Sequence, residues 1–207
     1  MAYSSVTAAV MANMGQKGLI KIEDRPMIEY VLEAIPEDAD DILITCLDET
    51  VEDYQDVGEA YGARMLTMPP ETADIRSQLE TVFQASRGEG LLIFRCDTPF
   101  VTRSLATFLL EITTKFSAGI PRPNIDRPEY MPASYRVKPF LEVMRENPDI
   151  PMGEVLKKVR NILYISAESL RFFDPKLRFL QRVNSSGDAA KAAGILRSLR
   201  EARGQRV

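Results

Sequence analysis

Four short, mostly apolar runs, each followed by a stretch with helical spacing, constrain the fold of this chain more than any other feature. The runs cover residues 6–12, 41–46, 63–68 and 91–96. None keeps the strict apolar/polar alternation of a strand with one wet face, so each predicts a strand covered on both sides. The intervening segments read as helices. Residues 26–35 open on Pro26 at the favoured first position and are followed by Pro36. A second helix is expected from Thr50 or Glu52 to about Tyr61. A third, at 74–86, carries Ile75, Leu79, Val82 and Phe83 on one face, and a fourth covers 102–116. Strand alternating with helix in this way predicts an α/β fold: a three-layer, doubly wound, mostly parallel sheet with right-handed crossovers.

The second half is less regular. Pro121-Arg122-Pro123-Asn124-Ile125-Asp126-Arg127-Pro128 reads as a proline-rich surface loop. Residues 133–137 read as a strand, 139–145 and 152–159 as helices, 162–165 as a strand, 177–183 as a last strand, and 188 to about 203 as a C-terminal helix. No repeat, low-complexity tract or linker divides the 207 residues, a length that suits one domain.

The fourth run ends in a single carboxylate, in Leu91-Leu92-Ile93-Phe94-Arg95-Cys96-Asp97-Thr98-Pro99. A buried parallel strand would deliver that group to the edge of the sheet, beyond the strand's carboxyl end, where open α/β sheets bind ligands. Hard cations such as Mg²⁺ take carboxylate oxygens and bridge them to phosphates. Asp97 therefore reads either as a metal anchor in a phosphate-handling site or as a cap for the turn before Thr102. The chain has no histidine, which excludes a Ser–His–Asp triad, a Cys–His dyad and histidine-ligated zinc. Cys46 and Cys96 each end a strand-like run and read as buried, reduced thiols.

The net charge is −4, but residues 161–207 hold nine Lys or Arg against four Asp or Glu. Arg197, Arg200, Arg203 and Arg206 recur at helical spacing and read as a solvated helix face, so no nucleic-acid partner is expected. No apolar run is long enough for a membrane span. Met1-Ala2-Tyr3-Ser4-Ser5 lacks the flank of a signal peptide. A cytoplasmic location without a membrane partner is the expectation.

Three segments, in order along the chain, resemble the molybdenum cofactor guanylyltransferase family and the wider group of small nucleotidyltransferases that includes archaeal cobinamide-phosphate guanylyltransferases. The first is Met14-Gly15-Gln16-Lys17-Gly18-Leu19-Ile20-Lys21-Ile22-Glu23-Asp24-Arg25-Pro26-Met27-Ile28, similar to the family's Arg-Met-Gly, acidic residue, Lys, short strand and Gly-Arg-Pro-Met. The second, Cys96-Asp97-Thr98-Pro99-Phe100, is similar to Cys-Asp-Met-Pro-Phe. The third, Val183-Asn184-Ser185-Ser186-Gly187-Asp188, is similar to Asn-Ile-Asn-Thr-Pro-Glu-Asp. The resemblance implies a Rossmann-like sheet of the nucleotide-diphospho-sugar transferase (GT-A-like) type, with a nucleotide half over 1–116 and an acceptor half over 117–207.

It also implies Mg²⁺ as cofactor, GTP or another nucleoside triphosphate as donor, and a phosphorylated small molecule as acceptor. Ala12, Asn13, Gly15 and Lys17 would form the phosphate loop, Asp97 would hold the metal, and Asn184 would line the metal and acceptor side. Arg76 stands where relatives recognise the base or acceptor, and Tyr135-Arg136 where the acceptor half folds back. Lys21 reads as surface, and Arg95 as the partner of an acidic helix residue. The loop itself departs from the family pattern. Ala12 runs directly into Asn13-Met14-Gly15, without the paired glycines, and Gln16 and Arg182 replace family residues. A shorter loop offers fewer N–H groups to a triphosphate. Two classes therefore stay open: a working transferase, and a catalytically impaired relative that binds nucleotide or regulates. The oligomeric state is not legible.

Overall fold

The computed structural model describes residues 5–69, 74–123 and 128–204. The expectations placed on residues 1–4, on 124–127 and on Arg206 lie outside these, as does the side chain of Arg203. In chain order the elements are β1 (Val6–Met11), the short pair β2 (Lys21–Ile22) and β3 (Arg25–Pro26), α1 (Met27–Leu32), β4 (Asp41–Leu47), α2 (Gln55–Ala60), β5 (Arg64–Met68), α3 (Ile75–Ala85), β6 (Gly90–Arg95) and α4 (Arg103–Ile112). Then follow β7 (Ala118–Arg122), β8 (Ala133–Arg136), α5 (Val137–Glu146), α6 (Met152–Lys158), β9 (Ile162–Ser166), α7 (Ala167–Leu170) and α8 (Ser186–Gly204).

Seven strands form one sheet in the order β5-β4-β1-β6-β8-β7-β9, and β2 pairs with β3 apart from it. All pairings in the large sheet are parallel except those of β8, which runs against both β6 and β7. Strand β1 lies near the middle and is buried along its whole length. Its alternate side chains serve two cores, as the two-residue period of a strand requires. Ala8 and Val10 pack with Ile28 and Val31 of α1, Val57 of α2, and Leu105 and Leu109 of α4. Ala9 and Met11 pack with Leu79 and Phe83 of α3, Phe140 of α5, and Val155 of α6. This is the expected α/β architecture, a mostly parallel sheet between two helical layers. Helix α8 closes a third, smaller cluster with Ile22, Met27, Phe100 and Val183. Among the described residues no helix is long and apolar enough to cross a membrane.

Three expectations are corrected. The proline-rich segment is not a loop from its start, because Pro121 and Arg122 end β7. Strand β8 pairs with β7 only at Ala118 and Gly119, so the missing N–H of Pro121 breaks no ladder on that side. Residues 177–183 are not a strand. Leu177 adopts a left-handed φ of 51° and a single 3-10 turn, Arg178–Leu180, follows. The only ladder-like bond of that stretch runs from Val183 N to Asp97 O at 2.9 Å. Helix α1 is shorter than expected, with Pro26 standing just before it and the chain tightening into a turn at Ala34 and Ile35. Cys46 and Cys96 are both free and buried, and Arg197 and Arg200 both meet Glu23.

Candidate active site

The end of β6 is built for one buried charge. Asp97 follows Cys96 in the turn closed by Thr98 Oγ1 on Arg95 O (2.9 Å). The N-cap of α4 is Thr102, whose hydroxyl accepts from Leu105 N, so Asp97 does not serve as that cap. Its carboxylate is wholly buried and accepts from Arg95 Nε (2.8 Å, to Oδ1), Arg95 Nη2 (3.0 Å, to Oδ2) and Lys17 Nζ (2.9 Å, to Oδ2). Burial pushes the carboxyl pKa up, but the bonds from Arg95 and Lys17 outweigh it and hold it below the ordinary carboxylate range. The same carboxylate helps raise the neighbouring Cys96 thiol, which burial pushes up to about 12, so that thiol stays protonated and inert. Arg95 therefore pairs with an acid, as expected, but with Asp97 in its own strand–turn and not with a helix residue. Two basic side chains share one carboxylate, an arrangement that suits a site for an anion such as a phosphate.

Lys17 Nζ also donates to Asn184 Oδ1 (2.5 Å). Asn184 reaches it because it is spared the capping of α8. Ser185 Oγ accepts from Asp188 N, and the Asp188 carboxylate returns bonds to Asn184 N and Ser185 Oγ, a reciprocal capping box. The backbone bond from Val183 N to Asp97 O fixes the level at which the segment passes the sheet. The Lys17 ammonium thus lies between two hard oxygens, Asp97 Oδ2 and Asn184 Oδ1. Among the described residues no group of three or more His, Cys, Asp or Glu gathers at one point. A metal here would complete its shell with water and substrate oxygens, which fits Mg²⁺ and not a closed zinc site.

The short loop after β1 is held from beneath by Tyr54, a fully buried residue that belongs to no motif. Its hydroxyl accepts from Gly18 N (3.0 Å) and donates to Gly15 O (2.9 Å), bracketing Lys17. Gly15 has φ +65°, a region that favours glycine. Gly18 is required for close approach, since a Cβ there would stand 2.9 Å from Tyr54 Oη and 3.1 Å from Cys96 Cβ. Ala12 is buried with its N–H on Thr45 O of β4, Asn13 is half-buried at the start of the turn, and Gln16 is tied to Asp53.

The other expected site residues are not brought to this cluster. Arg76 pairs with Glu80 (2.6 Å) and donates to Met144 O (3.2 Å), which staples α3 to α5. Tyr135 is fully buried, with its hydroxyl on Tyr130 O and its ring against Phe83 and Phe140. Arg136 donates to Thr113 O and Thr114 O at the end of α4. The reason is strand direction. Because β8 is antiparallel, Arg136 lies opposite Gly90, at the start of β6, while Asp97 follows its end. Five positions of strand separate Gly90 from Arg95, roughly 16 Å. Two further basic groups lie at the same edge of the sheet as Asp97. One is Arg95. The other is Arg122 at the end of β7, whose guanidinium lies over the Tyr164 ring at 4.9 Å.

A separate groove of about 530 Å³ lies between α1, the start of α4 and α8, and its arginines Arg25, Arg103 and Arg200 are all ion-paired. It does not include Lys17, Asp97 or Asn184.

Comparison with known proteins identifies the family and the fold. The family model described as a MobA-like NTP transferase domain matches residues 11–163. A protein of Methanosarcina mazei named as a probable molybdenum cofactor guanylyltransferase is 22% identical over 187 residues, covering 87% of this chain and 84% of the relative. The crystal structure of molybdopterin-guanine dinucleotide biosynthesis protein A from Archaeoglobus fulgidus superposes with a TM-score of 0.69 at 22% identity, over 93% of this chain and 98% of that one. That of 4-diphosphocytidyl-2C-methyl-D-erythritol synthase from Anaerococcus prevotii gives 0.70 at 14% identity, over 93% and 98%. The fold is that of the nucleotide-diphospho-sugar transferases.

Proposed function

This chain belongs to the MobA-like NTP transferase family and is a nucleotidyltransferase, and on that premise we propose that it is a Mg²⁺-dependent guanylyltransferase that moves GMP from GTP to molybdopterin. The observation that carries the reading is the contact of Lys17 with both Asp97 and Asn184, residues 80 and 167 positions away along the chain. Three segments that resemble the family's motifs thus converge on one ammonium. The proposal takes the whole chain as one transferase domain, with the nucleotide half in 1–116 and the acceptor half in 117–207.

The chemistry asks for positioning and charge neutralisation more than for proton transfer. An oxygen of the acceptor's phosphate forms the new bond to the α-phosphorus of GTP. The bond from that phosphorus to the bridging oxygen of the β-phosphate breaks, and pyrophosphate leaves with the electron pair. The attacking oxygen is already ionised, so no general base is required and the absence of histidine is no obstacle. Lys17 neutralises the phosphates, and the Gly15 turn lets the backbone come close to them. Asp97 and Asn184 would hold Mg²⁺, which when bound supplies Lewis-acid stabilisation of the charge that develops on the departing pyrophosphate. Arg95 keeps Asp97 ionised and in place.

A second reading, a relative that binds nucleotide without turnover, is favoured by the abrupt passage from Ala12 to Gly15. The test is pyrophosphate release from GTP, CTP and ATP with molybdopterin as acceptor, beside calorimetry with GTP·Mg²⁺. Release specific to GTP and molybdopterin supports the transferase; binding without release for any acceptor supports the second reading.

A further inference from the structure

Arg122 is the basic group in the molecule that most lacks an explanation. It ends β7 on the face of the sheet that carries Ala118 and Ile120, and two-residue alternation puts Arg95 on the same face of β6 with Leu91 and Ile93. The register sets the two arginines level. Leu91 and Ala118 both pair with Tyr135, and each arginine stands four positions further along its strand. Two strand spacings, roughly 10 Å, separate their backbones. Among the described residues the guanidinium of Arg122 has no hydrogen-bond or ion-pair partner, and its Nε is buried with none. The ring of Tyr164 holds the guanidinium from one side at 4.9 Å. Tyr164 is 38% exposed, so the pair faces an open surface. Glu129 is close enough to raise the Arg95 pKa, but it forms no ion pair with Arg122.

A half-buried guanidinium with no anion among the described residues, braced on an aromatic ring beside the candidate phosphate-transfer site, is suited to receive one. Arginine's planar fork matches a phosphate in two-point contact. Resting on the transferase reading above, we propose that Arg122, braced by Tyr164, binds the terminal phosphate of the acceptor and presents one of its oxygens to the α-phosphorus of GTP. In that step the phosphate oxygen gains the bond to phosphorus, the bond to the β-phosphate's bridging oxygen is lost, and the electron pair leaves with pyrophosphate. Arg122 moves no proton; it fixes the orientation and the charge of the nucleophile.

The experiment compares wild type, Arg122→Ala and Arg122→Lys in three measurements: GTP·Mg²⁺ affinity by calorimetry, steady-state turnover against molybdopterin, and the ³¹P linewidth of added inorganic phosphate. The expected result is GTP affinity unchanged within about twofold, with kcat/KM for molybdopterin down roughly 10- to 100-fold in Arg122→Ala and only partly restored in Arg122→Lys, as for loss of one charged contact. Phosphate broadening should be present in wild type and lost in Arg122→Ala. Tyr164→Leu, which keeps the arginine but removes its brace, should raise the molybdopterin KM more than it lowers kcat. If wild type turns over no acceptor while phosphate broadening still depends on Arg122, the transferase reading fails and the anion site stands. If neither the broadening nor the molybdopterin kinetics responds to Arg122→Ala, the proposal is overturned.

Discussion

Replacing Asp97 by Asn keeps the shape of the side chain and removes the one charge that two basic groups share. Asp97 is 0% exposed, while the side chains of Arg95 and Lys17 are 15% and 20% exposed. Breaking a fully buried pair by losing one partner costs about 3–5 kcal/mol. Here the amide oxygen still accepts one bond and both cations reach some water, so the expected loss is about 2 kcal/mol. For a chain of this length that lowers Tm by about 4–8 °C. The effect on turnover should be larger: without its anchor for Mg²⁺, kcat should fall by about 10²–10³. Affinity for metal-free GTP should stay the same or tighten, because a negative charge facing the triphosphate has gone. The pH dependence carries a sign as well. The Asp97 pKa is depressed in the folded state, so its stabilisation is present above the unfolded value of about 3.9 and is lost as pH falls through the lower folded value. The Tm gap between wild type and Asp97→Asn should therefore be constant from about pH 5 to 8 and shrink below about pH 4. Thermal melts across pH and pyrophosphate-release assays measure all of this. An unchanged kcat would refute the metal-anchor reasoning, and a Tm gap that widens with acid would refute the electrostatic account.

Tyr54→Phe removes the hydroxyl that brackets Lys17 and leaves the buried Gly18 N–H unpaired, at a cost of about 1–3 kcal/mol; GTP affinity should weaken while the far-UV spectrum is retained. Tyr135→Phe strands Tyr130 O and should destabilise by about 1 kcal/mol in denaturant melts, with the molybdopterin KM unaltered because the ring belongs to the core. Chelation with EDTA should abolish turnover and leave Tm unchanged within error, since among the described residues no cluster of three or more protein ligands could depend on a metal to fold.

The strand–helix alternation of the first half was legible because β1, β4 and β6 are apolar on both faces and α3 and α4 open on the capping side chains of Asp74 and Thr102. Asp97, Lys17 and Asn184 were legible as members of short motifs, and their meeting follows from the parallel order β4-β1-β6 and from the path of the last segment. Tyr135 and Arg136 lie away from Lys17 and Asp97 because strand direction, a tertiary property, carries them to the start of β6. Nothing in Ala-Ser-Tyr-Arg says that it will pair against Gly90–Ile93 in reverse. The staple made by Arg76 was not legible for a similar reason, since Met144 O, an acceptor for its guanidinium, lies 68 positions away. Tyr54 and Arg122 matter through what lies beneath or beside them, a glycine backbone and an unpaired Nε, and neither is a pattern that one-dimensional spacing can display.

The cluster is also ordered in time. Lys17 and Asp97 emerge early in translation, and β1, β4, β5 and β6 are all made before residue 100. Asn184 and the Val183 amide that fastens to Asp97 follow more than eighty residues after it. A nascent polypeptide therefore holds the phosphate loop and the carboxylate long before it can close them together. A polypeptide terminated near residue 180 would keep every strand of the sheet and lack both the clasp and the small apolar cluster that α8 closes with Ile22, Met27 and Phe100.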